Sequence, residues 1–306
     1  MVREVKKEAI LLSKGPLIKK GVLLSHSRIF NPARPDLKSS EVWTDIGNGA
    51  RWRARKLGVG LTIYAPDSYH DVGEALDLLD FGIKKKRPDA VILPDTPLPG
   101  SNLEKKLLDI VCPFGGKVGF VNVPANERVL KQVGNKAVGY AGMNEFGAGQ
   151  KAARSASLFI TEEERLNGLV VLKHEEGHYG HWLRIQGIRD IAGRMGIPVK
   201  EVFVGTENQK PLNLGDGKFT IITLGNRGTE AALTLDPERI AGLVGMDLNP
   251  TVAQAILDSR VNSTLIQYPH AQGILAIDLM FTSGGFQNYF CGPTIVDPDN
   301  VRVFQI

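Results

Sequence analysis

The sequence predicts an α/β protein built from two similar doubly wound parallel-sheet lobes joined by several short crossings, or hinges. Short β-branched runs alternate with longer helical patterns, and this alternation starts over near the middle of the chain. The 306 residues, 42% of them hydrophobic, are enough to fill two cores of ordinary domain size. Open sheets of this kind place ligands at the carboxyl ends of their strands, so a cleft between two such ends is expected.

The first strand is GVLLSHS (21–27), and the helix SEVWTDIGNGARWRARKLG (40–58) closes at Gly58. VGLTIYAP (59–66) is the next strand, followed by the helix DVGEALDLLDFGIKKK (71–86) with its basic last turn. DAVILPD (89–95), a helix near 102–111 and KVGFVNVP (117–124) extend the first sheet. A second set opens with AVGYAGMN (137–144), the helix FGAGQKAARSASLF (146–159) and the strand LNGLVVLKHE (166–175). It continues through the helix 178–196, VKEVFVGT (199–206), FTIITLGN (219–226) and a short helix. GLVGMDLN (242–249), a helix over 250–259, VNSTLIQYP (261–269) and a helix over 270–284 complete it.

Composition excludes several classes. The net charge of +4 arises from 37 basic and 33 acidic residues spread along the chain, without the basic stripe of a nucleic-acid surface. Two cysteines, Cys112 and Cys291, form neither a CxxC nor a disulfide-rich framework, although one bridge between them stays open. No apolar run approaches the roughly 18 residues that cross a bilayer. AILL (9–12) is too short for the apolar stretch of a secretory signal, so the chain is either cytoplasmic or an exported protein whose signal is absent from this sequence.

His174-Glu175-Glu176-Gly177-His178 matches the zinc-protease pattern H-E-x-x-H. That chemistry needs both histidines one turn apart on a continuous helix, with the glutamate beside the bound water. Here LVVL reads as a strand directly before the motif, and Gly177 and Gly180 break a helix through His178. His181 could supply a third ligand, yet a polar loop at a strand end is the favoured reading, and no metal is expected. There is no G-x-S-x-G, no phosphate-binding loop and no local pair of nucleophile and base, so neither an enzyme nor a cofactor is expected. A zinc hydrolase acting through His174, Glu175 and His178 is a distant alternative.

Four patterns recur in a recognisable order: MNEFGAGQKAAR (143–154), HWLRIQGIRD (181–190), GMD (245–247) and QYPHAQGILAIDLM (267–280). Together they resemble the type I periplasmic binding protein superfamily, in particular ribose and galactose receptors and the effector domains of lactose-repressor-like regulators. The resemblance runs from GVLLSHS to TIVDPDNV and implies two lobes joined by three hinge crossovers, 1–124 plus 268–290 and 125–267 plus 291–306, with a sugar clamped between them. It places ligand contacts at Asn226, Asp247 and Gln267, where the family commonly carries an asparagine, an aspartate and a hinge glutamine. Their chemistry agrees, because amides and carboxylates pair with vicinal hydroxyls. Trp43 falls where such receptors offer an aromatic ring to a sugar face, and it is preferred here to Trp52.

Two departures bear on the ligand. Trp182 stands where many relatives carry arginine, and Asn122-Val123 stands where ribose receptors carry Asp-Arg. Losing two guanidinium groups removes bidentate grips on adjacent hydroxyls, so the expected ligand is a bulkier or less hydroxyl-dense sugar-like molecule than ribose. Asn122, His178 and Trp182 join the expected contacts. Ser25, Phe30, Asn144 and Glu176 form a second rank; Arg184 joins it, more as a brace of the loop or hinge than as a contact. Phe30, Asn31 and Arg34 belong to a long insertion (28–40) that could overhang the cleft mouth.

The resemblance implies the solute-binding component of a carbohydrate importer: periplasmic or extracellular, monomeric, without nucleic acid, and partnered by a membrane permease. The alternative is a ligand-sensing receptor or a regulator's effector domain of the same fold. A regulator would need a helix-turn-helix upstream, and the twenty residues ahead of Gly21 are not patterned that way.

Overall fold

The computed structural model describes residues 19–25, 40–66, 71–94, 97–161, 167–204, 212, 214–282 and 285–304. Phe30, Asn31 and Arg34 lie outside them. The chain divides into two compact units, Met1–Gly142 with Tyr268–Cys291, and Met143–Gln267 with Gly292–Ile306, so it passes between units three times.

The first unit holds strands β1 (Lys20–Leu24), β2 (Gly60–Tyr64), β3 (Ala90–Leu93), β4 (Lys117–Asn122) and β5 (Ala137–Gly142). Between them run helices α1 (Glu41–Leu57), α2 (Val72–Lys86), α3 (Asn102–Val111) and α4 (Glu127–Val133). The second unit holds α5 (Glu145–Ser157), β6 (Leu169–Lys173), α6 (Tyr179–Arg194), β7 (Val199–Phe203) and β8 (Phe219–Thr223). It continues with α7 (Asn226–Ala232), β9 (Ile240–Met246), α8 (Pro250–Leu257) and β10 (Ser263–Ile266). The chain then returns to the first unit for α9 (Pro269–Phe281) and β11 (Gln287–Phe290), and ends in the second with β12 (Thr294–Val296).

The strand orders are β11-β5-β4-β3-β1-β2 and β12-β10-β9-β8-β6-β7, the same winding twice. Pairing is parallel throughout except for β12, which runs antiparallel to β10. The winding direction reverses between β1 and β3 in one sheet and between β6 and β8 in the other, the positions where such sheets take ligands.

Burial on both faces explains the near-continuous apolar strands. Along β1, Val22 and Leu24 enter one core cluster while Leu23 enters the other, as period-two alternation requires. Along β6, Leu169 and Val171 divide from Val170 and Leu172 in the same way. Helices start where side chains accept from the first turn: Ser40, Asp71, Ser101, Asn126, Asn144 and Asn249 all cap in this manner.

Each unit also contains one tight helix crossing. A Cβ on Gly49 or Gly273 would meet the carbonyl oxygens of His270 and Ile46 at 2.0 Å, so α1 and α9 touch backbone to backbone. Gly149 and Gly187 do the same for α5 and α6, against the Arg184 and Phe146 carbonyls at 1.9 and 2.1 Å.

One expectation is corrected. The first crossing lies at 142/143 and not at 124/125, because AVGYAG pairs with β4 as the fifth strand of the first sheet. A strand preceded by a short helix extends the sheet already begun. The later crossings fall at 267/268 and at 291/292, the last one residue beyond the expected 290/291, since the Cys291 N–H still bonds to the Gly142 carbonyl of the first unit.

Candidate ligand-binding site

In the second unit, β6, β8, β9 and β10 lie side by side, and the segments leaving their carboxyl ends carry most of the expected contacts. After β10 comes Gln267, 5% exposed, whose Nε2 donates to Asp247 Oδ1 at 2.6 Å. Asp247 follows β9 in a left-handed conformation, φ 69°, with its backbone N–H bonded to the Leu265 carbonyl at 2.8 Å. Thr264 Oγ1 donates to the Asp247 carbonyl at 2.6 Å. Asp247 is not the helix cap; Asn249 caps α8 by accepting from Val252 N at 2.8 Å. Three bonds therefore hold a carboxylate at a strand end in a backbone state that few side chains adopt freely.

Asn226 lies beyond β8, in the first turn of α7 and not on the strand itself. Its Oδ1 is buried without a hydrogen-bond partner among the described residues. An unpaired buried acceptor costs about 1–3 kcal/mol, which a donor on a ligand would offset.

The loop after β6 carries the histidines. His174 is 9% exposed, Glu175 half-buried and Glu176 exposed. His178 caps α6, its Nδ1 accepting from His181 N at 3.1 Å, so His174 and His178 do not share a helix. The His181 ring lies 4.6 Å from that of His178 and 4.9 Å from that of His174. Burial, then the neighbouring His178 and His174, hold the His181 imidazole well below the usual histidine range, so it is neutral at pH 7. One turn further, Trp182 is 46% exposed and stacks on Tyr179 at 5.6 Å and 11°, forming an aromatic surface.

Arg184 is 4% exposed; its Nε donates to Glu145 Oε2 at 2.5 Å and its Nη1 to the Leu224 carbonyl at 2.8 Å. It thereby ties α6 to the first turn of α5 and to the end of β8. Burial raises the Glu145 carboxyl, Arg184 opposes that rise, and nearby Asp247 adds to it. Asn144, exposed, caps α5 by accepting from Gly147 N at 2.9 Å.

In the first unit, Asn122 closes β4 as Asp247 closes β9, again left-handed at φ 70°. Its Nδ2 reaches Gln272 Oε1 at 3.4 Å, and its carbonyl accepts from Tyr140 at 2.7 Å. Ser25 ends β1, 1% exposed, its N–H bonded to the Tyr64 carbonyl. Trp43 is 3% exposed and packs in the core with Ile46, Ala276 and Met280, whereas Trp52 is 46% exposed beside Lys56. The expected ring is thus committed to packing, because the first helix turns this position onto the sheet.

Sequence reasoning missed Glu145, Gln272, Tyr179 and the place of His181. An acidic residue beside an N-cap reads as a dipole partner, and only the fold reveals that Glu145 is buried against Arg184. Cys112 and Cys291 are both free, the first exposed and the second buried.

No family model matches the sequence, and no curated protein matches it. Solved structures do match. A periplasmic sugar-binding protein of an ABC sugar transporter from Legionella pneumophila is similar over 90% of this chain and 99% of its own, at 20% identity and a TM-score of 0.68. A carbohydrate transporter from Acidothermus cellulolyticus, in complex with myo-inositol, is similar over 93% and 96%, at 20% identity and 0.69. A protein described as a LacI transcriptional regulator from Bacteroides fragilis is similar over 94% and 98%, at 17% identity and 0.69. The fold of this chain is that of the type I periplasmic binding proteins.

Proposed function

We propose that this chain is the solute-binding component of an ABC-type carbohydrate importer, exported and monomeric, and that it takes a sugar or sugar-like ligand at the carboxyl ends of its strands. The observation that carries the reading is the hydrogen-bonded pair Gln267–Asp247 on adjacent strand ends, with Asn226 Oδ1, unpaired among the described residues, in the helix turn beyond the next strand. A carboxylate and two amides in a row offer donors and acceptors to neighbouring hydroxyls, and fixed strand ends limit the entropy lost on binding. The exposed Tyr179–Trp182 pair supplies an apolar surface for a sugar face. The likeness of the fold to sugar-binding transport proteins supports the same ligand class.

The deciding experiment is calorimetric titration with a panel of pentoses, hexoses and inositols. The proposal expects one-to-one binding of at least one member; failure of the whole panel would reject it. The likeness to a LacI-type regulator favours a second reading, a sensor or effector domain of the same fold. Deleting the gene separates the two. The importer reading expects loss of uptake of the bound sugar, and the regulator reading expects altered transcription with uptake machinery intact.

A further inference from the structure

We infer that His174, Glu175 and His181 form a binding site for one divalent first-row transition metal ion such as Zn²⁺. The site lies at the end of β6 and the first turn of α6, and it stands whether or not the chain binds a sugar. It reverses the expectation that these residues are only a polar loop.

The donors converge. One ligand atom from each of His174, Glu175 and His181 can be chosen so that all lie within 4.8 Å of one another. Glu175 sits between two rings, its Oε1 3.5 Å from His174 Nε2 and its Oε2 3.6 Å from His178 Nε2. A tetrahedral zinc with bonds of about 2.0–2.1 Å holds its ligand atoms roughly 3.3 Å apart, so side-chain rotations that contract the group by up to about 1.5 Å give three protein ligands and leave the fourth position to water. His178 lies outside this group of three: its Nδ1 accepts the capping bond and its Nε2 faces Glu175.

A second observation points to a ligand. The Nδ1 atoms of His174 and His181 are both buried, and neither has a hydrogen-bond partner among the described residues. Ordinary packing seldom leaves two such nitrogens in one cluster, because each is costly to bury unpaired. A cation bound through Nδ1 removes that cost, each ring ligating through one nitrogen and leaving its Nε2 to a neighbour such as Glu175. Space is also reserved here: a Cβ on Gly225 would lie 2.6 Å from His174 Cε1, so any other residue would displace the ring. The Arg184 guanidinium, which acts on His181, is paired with Glu145.

Imidazole nitrogens with a single carboxylate select zinc, nickel or copper over magnesium or calcium, which require oxygen-rich shells. The geometry differs from that of a zinc protease, where two histidines share one helix; here a strand end supplies two donors and a helix start the rest.

The test uses the whole chain after dialysis against a chelator. Calorimetric titration with Zn²⁺ should give one ion per chain and raise the melting temperature, while Mg²⁺ and Ca²⁺ should do neither. Co²⁺ should give visible absorption bands of nitrogen and oxygen coordination. Glu175→Gln, on the loop, should weaken Zn²⁺ binding by at least about tenfold, since even outer-shell losses cost 10–100-fold. The double variant His174→Gln, His181→Gln should abolish the site; if it does not fold, Glu175→Gln alone decides. Absence of stoichiometric Zn²⁺ on the wild-type chain, or an affinity that Glu175→Gln leaves unchanged, overturns the proposal.

Discussion

Asp247 concentrates the reasoning at the scale of single residues. A left-handed φ is unfavourable for most side chains but tolerated by aspartate and asparagine, so Asp247→Asn keeps the backbone and removes only the charge. Charged hydrogen bonds contribute about 1.5–3 kcal/mol each, which predicts a loss of sugar affinity of roughly ten- to a hundredfold in calorimetry. The strand-end positions of Asp247 and Gln267 were legible in the sequence because each directly follows an apolar run, whereas their expected contact with a ligand came from the family resemblance. Trp43 was not, since a tryptophan on an amphipathic helix reads equally as core or as contact until the helix face is known. Glu145 was hidden for the converse reason: nothing in MNEFGAG signals that its glutamate is buried against Arg184. Arg184→Met should therefore destabilise the chain by about 3–5 kcal/mol in urea denaturation, because it leaves that carboxylate uncompensated. A cost near zero would show that water reaches the pair.

At the scale of elements, packing separates glycines that look alike in sequence. Gly187 and Gly193 both lie in α6, but a Cβ on Gly187 would strike the Phe146 carbonyl at 2.1 Å, while one on Gly193 meets nothing within 4 Å. Gly187→Ala should cost about 1–3 kcal/mol or more by forcing α5 and α6 apart. Gly193→Ala should be neutral or stabilise by up to about 1 kcal/mol by improving helix propensity, and thermal melts of the two variants check the contrast. Most strands and helices were legible from apolar runs and capping residues. The membership of β5 was not, because AVGYAG carries no mark of the sheet it joins. The short helix α4 also escaped, and the exposed edge strand β11 has no apolar run to announce it.

At the scale of the whole molecule, the repeated winding is what the sequence announced most clearly, since it depends on the order of many elements and not on any one of them. Each unit has its own pair of core clusters, one on either face of its sheet. Both cysteines belong to the first unit and are free, so thiol titration of the native protein should label Cys112 alone, and Cys291 only after unfolding. Immediate labelling of two thiols would show that the β11 region opens readily.

The central claim is that the polar side chains closing β9 and β10 hold a hydroxylated ligand. It is tested most directly by the ligand-induced rise in melting temperature across a sugar panel, measured side by side on the wild-type chain and on Asp247→Asn. The account predicts that at least one sugar stabilises the wild type and that the shift is largely lost in the variant. A panel that moves neither protein, or a sugar that stabilises both equally, would contradict it.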